Sequence, residues 1–66
     1  MIIILNGLKE EVAENITIQA CIEFVKEGDP DLIVEHNGRY VYPKDYPNRI
    51  LKQNDIIEFI NPNLGG

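Results

Sequence analysis

Three short apolar runs along the chain predict buried strands. The first, Met1 to Leu5, consists of β-branched and long aliphatic side chains, and the last, Ile56 to Ile60, is equally apolar. Between them, the run "LIVEHN" from Leu32 to Asn37 predicts another strand. Because the first and last runs are the most apolar, we expect these two strands to be central and to pair as parallel neighbours in one sheet.

Asn-Gly pairs follow two of the runs and predict hairpins. Asn6-Gly7 and Asn37-Gly38 both suit a type I′ turn, because Asn and Gly accept the positive φ that this turn requires. The first turn predicts a partner strand from Leu8 to Glu14, with Leu8 and Val12 facing inward. The second turn leads into the strand "RYVY".

A single helix is predicted after the first hairpin. Thr17 is suited to be its N-cap, because the hydroxyl can accept a hydrogen bond from a first-turn amide. Gly28 is expected to end the helix, and Pro30 cannot continue it, which gives about three turns. Apolar residues recur at three- and four-residue steps, as one buried helix face requires: Ile18, Cys21, Ile22 and Val25.

The remaining segment completes the topology. Pro43 ends the fourth strand because it has no amide hydrogen to donate, and "KDYPNRI" predicts a short turn or 3₁₀ helix anchored by Tyr46 and Ile50. The order strand, strand, helix, strand, strand, strand predicts an α+β fold of the β-grasp (ubiquitin-like) type. We expect a mixed sheet of four to five strands with one main helix on one face. Residues 1–60 would form the domain, and 61–66 a flexible tail ending in Gly-Gly.

Charge narrows the classes of partner. Eleven acidic residues against six Lys and Arg give a net charge of -5 over 66 residues. This balance argues against nucleic acid and anionic membranes, which basic residues bind, and favours a basic protein surface. Glu10, Glu11 and Glu14 could meet such a surface, although a solvated face is the simpler interpretation. The chain also lacks a signal peptide or membrane-spanning run, so we expect the cytoplasm.

Candidate side chains for chemistry are few. Cys21 and His36 are the sole cysteine and histidine, which excludes an internal disulfide and leaves too few ligands for a zinc or iron–sulfur site. We expect Cys21 to be a buried structural thiol and His36 to be solvated. No Ser-His-Asp set, paired-carboxylate pocket or phosphate-binding glycine loop is present. The sequence therefore does not predict an enzyme.

The two terminal glycines, Gly65 and Gly66, are the strongest functional signal. A glycine pair contributes nothing to a core, so it is either a frayed end or a thin strand that presents its carboxylate to a partner. Its position directly after an apolar last strand favours the second interpretation. Leu64 and Pro62 would then help to anchor the tail on the partner.

The whole chain resembles the bacterial sulfur-carrier proteins of thiamine biosynthesis, the ThiS family. The likeness rests on "IILNG", the helix after Thr17, "NGRYVYP", "LKQNDIIEF" and the terminal Gly-Gly. Tyr42 is an extra residue relative to the family pattern, and Asn54 replaces the glycine before an aspartate. The second change is mild, because Asn tolerates the left-handed conformation. Residues that fit the pattern are Pro43, Lys44, Tyr46, Leu51 and Asp55.

This resemblance implies a protein co-substrate with no bound cofactor. An adenylyltransferase similar to ubiquitin-activating enzymes would use ATP to adenylate the Gly66 carboxylate, with Gly65 and Leu64 entering its active site. Sulfur derived from a cysteine desulfurase would then give a thiocarboxylate, and thiazole synthase would consume it. The proline at position 62 makes the tail similar to the proline-rich ending of the molybdopterin-synthase small subunit. A sulfur carrier for molybdopterin synthesis or for another pathway is therefore an alternative. A non-conjugating ubiquitin-like interaction module is the rival from a different class.

A docking surface for such partners is also expected on the last strand. Ile56, Glu58 and Ile60 alternate with Ile57 and Phe59, so the two sets lie on opposite faces of the strand. An exposed apolar set would mark an interface. The first set is the candidate docking face, and its alternative role is a second core layer.

Overall fold

Five strands form one mixed sheet in the computed structural model, which describes residues 1–63. The strand order is β2-β1-β5-β3-β4; β1 and β5 are parallel, and the other neighbours are antiparallel. This is the predicted α+β β-grasp fold, with the first and last strands paired at its centre. The elements in chain order are β1 (Ile2–Leu5), β2 (Leu8–Glu11), α1 (Ile18–Phe24), β3 (Ile33–His36), β4 (Arg39–Val41), a 3₁₀ helix (Pro43–Asn48) and β5 (Ile56–Ile60).

Both predicted hairpin turns are present, and each is also linked to β5. The φ angles are 50° and 82° at Asn6 and Gly7, and 51° and 82° at Asn37 and Gly38, as a type I′ turn requires. The Asn6 carboxamide oxygen accepts a hydrogen bond from the Phe59 amide at 2.8 Å. The turn residues therefore set strand register and also bond the central strand.

The core lies between one face of the sheet and the helix. Val12 is buried there as predicted, but Leu8 is 67% exposed, so its predicted inward position is wrong. Leu8 begins the edge strand beside the turn, which places it at the rim of the core. The buried residues are Ile3, Leu5, Val12, Ile18, Cys21, Val34, Val41, Tyr46, Leu51, Ile57 and Phe59.

Helix α1 begins as predicted and ends earlier than predicted. The Thr17 hydroxyl accepts from the Ala20 amide at 3.0 Å, which confirms the N-cap. The helix has seven residues, fewer than three turns, and its left-handed residue is Lys26 (φ 58°) rather than Gly28. The amides of Lys26 and Glu27 bond back to the Glu23 and Ile22 carbonyls, which is a Schellman cap. This cap completes the helix end without glycine.

The segment after β4 folds as the predicted 3₁₀ helix, with a different second anchor. Tyr46 is buried, as expected, whereas Ile50 is 47% exposed and Leu51 is fully buried. The Leu51 amide bonds to the Ile16 carbonyl and Ile50 pairs with Thr17, so this stretch is extended and alternates its side chains. Leu51, not Ile50, therefore faces the core. No helix within residues 1–63 has the length and apolar character needed to cross a membrane.

Candidate functional site

The candidate site has two parts: the end of the chain, which would react, and a surface on which a partner protein would dock. Gly65, Gly66 and Leu64 lie outside the described residues, so their roles in the reaction stay predictions, as does the boundary between a domain at 1–60 and a tail at 61–66. The described residues supply the other part: the exposed face of β5 and the loop where the chain leaves it.

Strand β5 separates core and surface residues by strict alternation. Ile57 and Phe59 are buried against the helix side, with exposed fractions of 0% and 6%. Ile56 and Ile60 point to the opposite face and are 50% and 39% exposed. The sequence left open whether this set of residues forms an exposed face or a second core layer. In the structure it is exposed.

Neighbouring strands extend this surface, which we call the open face. The register places Ile4 beside Ile56 and Ile33 opposite Ile60. Because paired residues lie on the same side of a sheet, aliphatic side chains from three strands form one apolar surface. The open face is made of Ile2, Ile4, Lys9, Glu11, Ile33, Glu35, Tyr40, Ile56, Glu58 and Ile60.

Two carboxylates and one tyrosine ring lie on the part of the open face formed by β3, β4 and β5. Glu35 lies directly opposite Glu58 on the neighbouring strand, an arrangement in which like charges repel. Beside them, Tyr40 is opposite Glu35, and its ring packs edge-on against Tyr42 with centroids 4.9 Å apart. A negative centre within an apolar surface is complementary to an apolar partner that carries a basic group.

His36 is not solvated, so that prediction is wrong. Its side chain is only 13% exposed, and its Nε2 lies 2.7 Å from the Asp55 carboxylate. An ionised carboxylate can only accept hydrogen bonds, so Nε2 carries the proton in this pair. The two residues are 19 positions apart and meet because β3 runs antiparallel to β5.

The Asp55 carboxylate, directly before β5, accepts several hydrogen bonds. It also accepts from the Lys52 amide at 2.8 Å and from the Asn37 side chain at 3.1 Å. Burial by itself would raise the pKa of Asp55, but the hydrogen bonds from His36, Lys52 and Asn37 and the His36 charge lower it overall. This hydrogen-bond network holds the start of β5 to the second hairpin turn, which is a structural role.

The residues that carry the family likeness are therefore mainly part of the framework. Asn54 has φ 69°, so it occupies the left-handed position where the family pattern has glycine. Tyr46 and Leu51 are buried, and Asp55 organises the network. These residues support β5 and the core beside it.

The remaining candidate residues are Cys21 and the three acids of the first hairpin and the loop after it. Cys21 is fully buried, as predicted, and burial together with the charge of Glu10 raises the pKa of its thiol. Glu11 and Glu14 are exposed and Glu10 is partly buried. Residues 1–63 enclose no cavity, and they hold no group of three His, Cys, Asp or Glu side chains placed to bind a metal ion.

The chain leaves β5 along an acidic loop. The Asn61 side chain donates to the carboxylates of Glu27 and Asp29 at 3.1 and 3.2 Å. Asn63 donates to the Asp31 carboxylate at 2.8 Å. Nothing in the sequence pattern indicated these contacts, because they join residues more than 30 positions apart.

The fold is that of a small ubiquitin-like protein whose sheet is covered by the helix on one side only, among the residues that the structure describes. The model of the ThiS family matches residues 3–66, so the chain belongs to the ThiS family, small sulfur carriers of thiamine biosynthesis. Its structure is similar to that of the thiamine biosynthesis protein ThiS from Geobacter metallireducens, with 25% sequence identity, a TM-score of 0.87 and 100% of both chains covered. Comparison with curated proteins gave no match.

Proposed function

We propose that this protein carries sulfur for thiamine thiazole synthesis on the carboxyl group of Gly66. A carboxylate is a poor electrophile, so an adenylyltransferase first joins it to the α-phosphate of ATP and releases pyrophosphate. The terminal sulfur of a persulfide, derived from a cysteine desulfurase, then displaces AMP, and a thiol reductant cleaves the S–S bond to leave a thiocarboxylate. Thiazole synthase is the acceptor of that sulfur. In this series of reactions the protein is a co-substrate and not a catalyst.

The observation that carries the proposal is the family match, which extends through the two terminal glycines. An active site that must bring a peptide terminus to ATP is narrow, and glycine is the residue that fits where a Cβ would widen the chain. Proximity effects also require the carboxylate to be held close to the α-phosphate. A Gly-Gly terminus meets both requirements.

The open face supports a docking role in the same proposal. Ile56 and Ile60 expose apolar surface on either side of Glu58, the composition of an interface core with one charged centre. An adenylyltransferase with an apolar patch and a basic residue would fit this surface. Docking there leaves the end of the chain free to enter the active site.

The proposal is tested by intact-mass spectrometry after incubation with the cognate adenylyltransferase, ATP and a sulfide source. We expect the mass increase that corresponds to one oxygen replaced by sulfur, located at Gly66. The matched control carries one alanine after Gly66, which moves the carboxylate by about 3.3 to 3.6 Å. A displacement of about 1 Å can lower a rate about a hundredfold, so the extended protein should remain unmodified. Equal modification of both proteins would contradict the proposal.

The sulfur acceptor is identified separately. An N-terminally tagged protein should capture thiazole synthase from its source cell, and capture of the large molybdopterin-synthase subunit instead would reassign the pathway. A protein that shows no modification with its native C-terminus free, and that keeps its activity in the cell when a C-terminal tag is added, would be an interaction module.

A further inference from the structure

The acidic loop at 27–31 has a contact that the proposed function does not use. Its three carboxylates accept hydrogen bonds from both asparagines that follow β5, at distances of 2.8 to 3.2 Å. We call this arrangement the carboxylate clasp, formed by Glu27, Asp29, Asp31, Asn61 and Asn63. It lies at the point where the chain turns from the central strand towards the residues that would react.

The acceptor side of the clasp is preorganised by its own loop. Glu27 Oε1 also accepts from the Asp29 amide at 3.0 Å, and Asp29 Oδ1 accepts from the Asp31 amide at 2.8 Å. Two of the three carboxylates are therefore held in place by backbone groups. The two hydrogen bonds from Asn61 therefore form without ordering a free carboxylate, which lowers the entropy that these contacts cost.

The hydrogen bonds of the clasp join the chain after β5 to this loop, and their donors are neutral amides. A hydrogen bond to a carboxylate is stronger than one between neutral groups, but at an exposed site it remains moderate. The contact is thus strong enough to bias the direction of the chain at residue 63 and weak enough to adjust when a partner binds.

We propose that the carboxylate clasp is a positioning device that aims the end of the chain for adenylation. The proposal rests on the proposed function, because it assigns the clasp to the approach of the same terminus. By limiting the directions available to the chain at Asn63, the clasp raises the fraction of molecules whose terminus can enter the partner's active site on docking. None of its residues takes part in the bond-making steps.

The Asn63–Asp31 pair permits a test that preserves composition and charge. Asn63→Asp places two carboxylates at hydrogen-bond distance and should open this part of the clasp. The double variant Asp31→Asn with Asn63→Asp restores an amide and a carboxylate in exchanged positions and keeps the wild-type net charge. Asn48→Asp, at an exposed residue of the 3₁₀ helix, controls for one added negative charge.

The first measurement uses the protein alone, as the backbone ¹⁵N–¹H heteronuclear NOE at residues 61 and 63. We expect Asn63→Asp to lower the value at residue 63 and the double variant to restore it, while residue 61, which keeps its own hydrogen bonds, and the Asn48→Asp protein show wild-type values. Wild-type values as low in the intact clasp as in Asn63→Asp would overturn the clasp itself. This result does not depend on whether the protein carries sulfur.

The second measurement is ATP–pyrophosphate exchange with the cognate adenylyltransferase, analysed for KM of the carrier and kcat separately. Loss of one exposed hydrogen bond to a carboxylate corresponds to a rise in KM of about three- to tenfold for Asn63→Asp, with kcat unchanged, and recovery in the double variant. An unchanged or lower KM in Asn63→Asp would overturn the positioning role. Absence of exchange with wild type would instead contradict the proposed function, and the positioning role with it, while the NOE data would still decide whether the clasp forms.

Discussion

Ile56 and Ile57 are identical neighbours on β5 with opposite environments. Ile57 is fully buried beside Phe59 in the core, whereas Ile56 is half exposed on the open face. A strand turns successive side chains to opposite sides, so a single step along the chain separates a residue that stabilises the domain from one that is available to a partner. The two faces of one strand therefore place the same residue type in the core and at the surface.

The difference between the faces comes from what packs on them. The helix places Ile18 and Cys21 against the face that contains Ile57, and among the described residues no element covers the other face. The open face keeps its aliphatic residues in spite of this exposure and adds Glu58 opposite Glu35. A domain under no constraint other than its own stability would be expected to have polar residues there.

The largest expected effect comes from truncating the buried member of the isoleucine pair. Ile57→Ala removes a fully buried side chain and should lower the free energy of unfolding by about 2 to 5 kcal/mol. Ile57→Val, which should lower it by about 0.5 to 1.5 kcal/mol, keeps the comparison measurable if the alanine variant is unfolded. Urea denaturation followed by circular dichroism measures both. Equal losses for Ile57→Ala and Ile56→Ala would contradict the assignment of the two faces.

A smaller effect is expected at the residue just before β5. Asp55→Ala leaves the Lys52 amide and the side chains of His36 and Asn37 without their acceptor, and should lower the free energy of unfolding by about 1 to 3 kcal/mol. Because the folded state lowers the pKa of Asp55, this stabilisation is present above the unfolded value of about 3.9 and is lost as pH falls through the folded value.

The pH dependence separates this network from general acid unfolding. In wild type, stability should decrease from about pH 4 downwards as the Asp55 carboxylate gains a proton. Asp55→Asn cannot gain that proton, so its stability should depend less on pH in this range. Denaturation midpoints of wild type and Asp55→Asn at several pH values provide the measurement, and identical pH profiles would show that Asp55 does not contribute.

Much of the fold was predictable because local signals agreed with the topology. The two Asn-Gly turns, the Thr17 cap and the apolar first and last runs each have a physical reason that depends on a few adjacent residues. The end of the helix was not predictable in the same way. Lys26 adopts the left-handed conformation that was expected of Gly28, because two backbone hydrogen bonds compensate for its strain.

The parts of the site that the sequence missed depend on contacts between distant residues. His36 looks like a solvated strand residue until the register of β3 against β5 brings it to Asp55. The clasp likewise joins Asn61 and Asn63 to the loop between α1 and β3, more than 30 positions earlier in the sequence. Alternation identified Ile56 and Ile60 as one face, but exposure depends on where the helix packs.

The smallest effect on stability, and the clearest effect on function, is expected on the open face. Ile56→Ala with Ile60→Ala removes partly exposed side chains, so the free energy of unfolding should fall by no more than about 1 kcal/mol for each substitution, the range of strand propensity. Residues whose truncation weakens binding by more than about 1 kcal/mol cluster near the centre of an interface. We therefore expect KM of the carrier in ATP–pyrophosphate exchange to rise about tenfold. Leu8→Ala is the matched control, because Leu8 is an exposed aliphatic residue away from the open face and should leave KM unchanged. If the double variant and the control gave the same KM as wild type, the partner would dock elsewhere, and the apolar character of the open face would need another explanation.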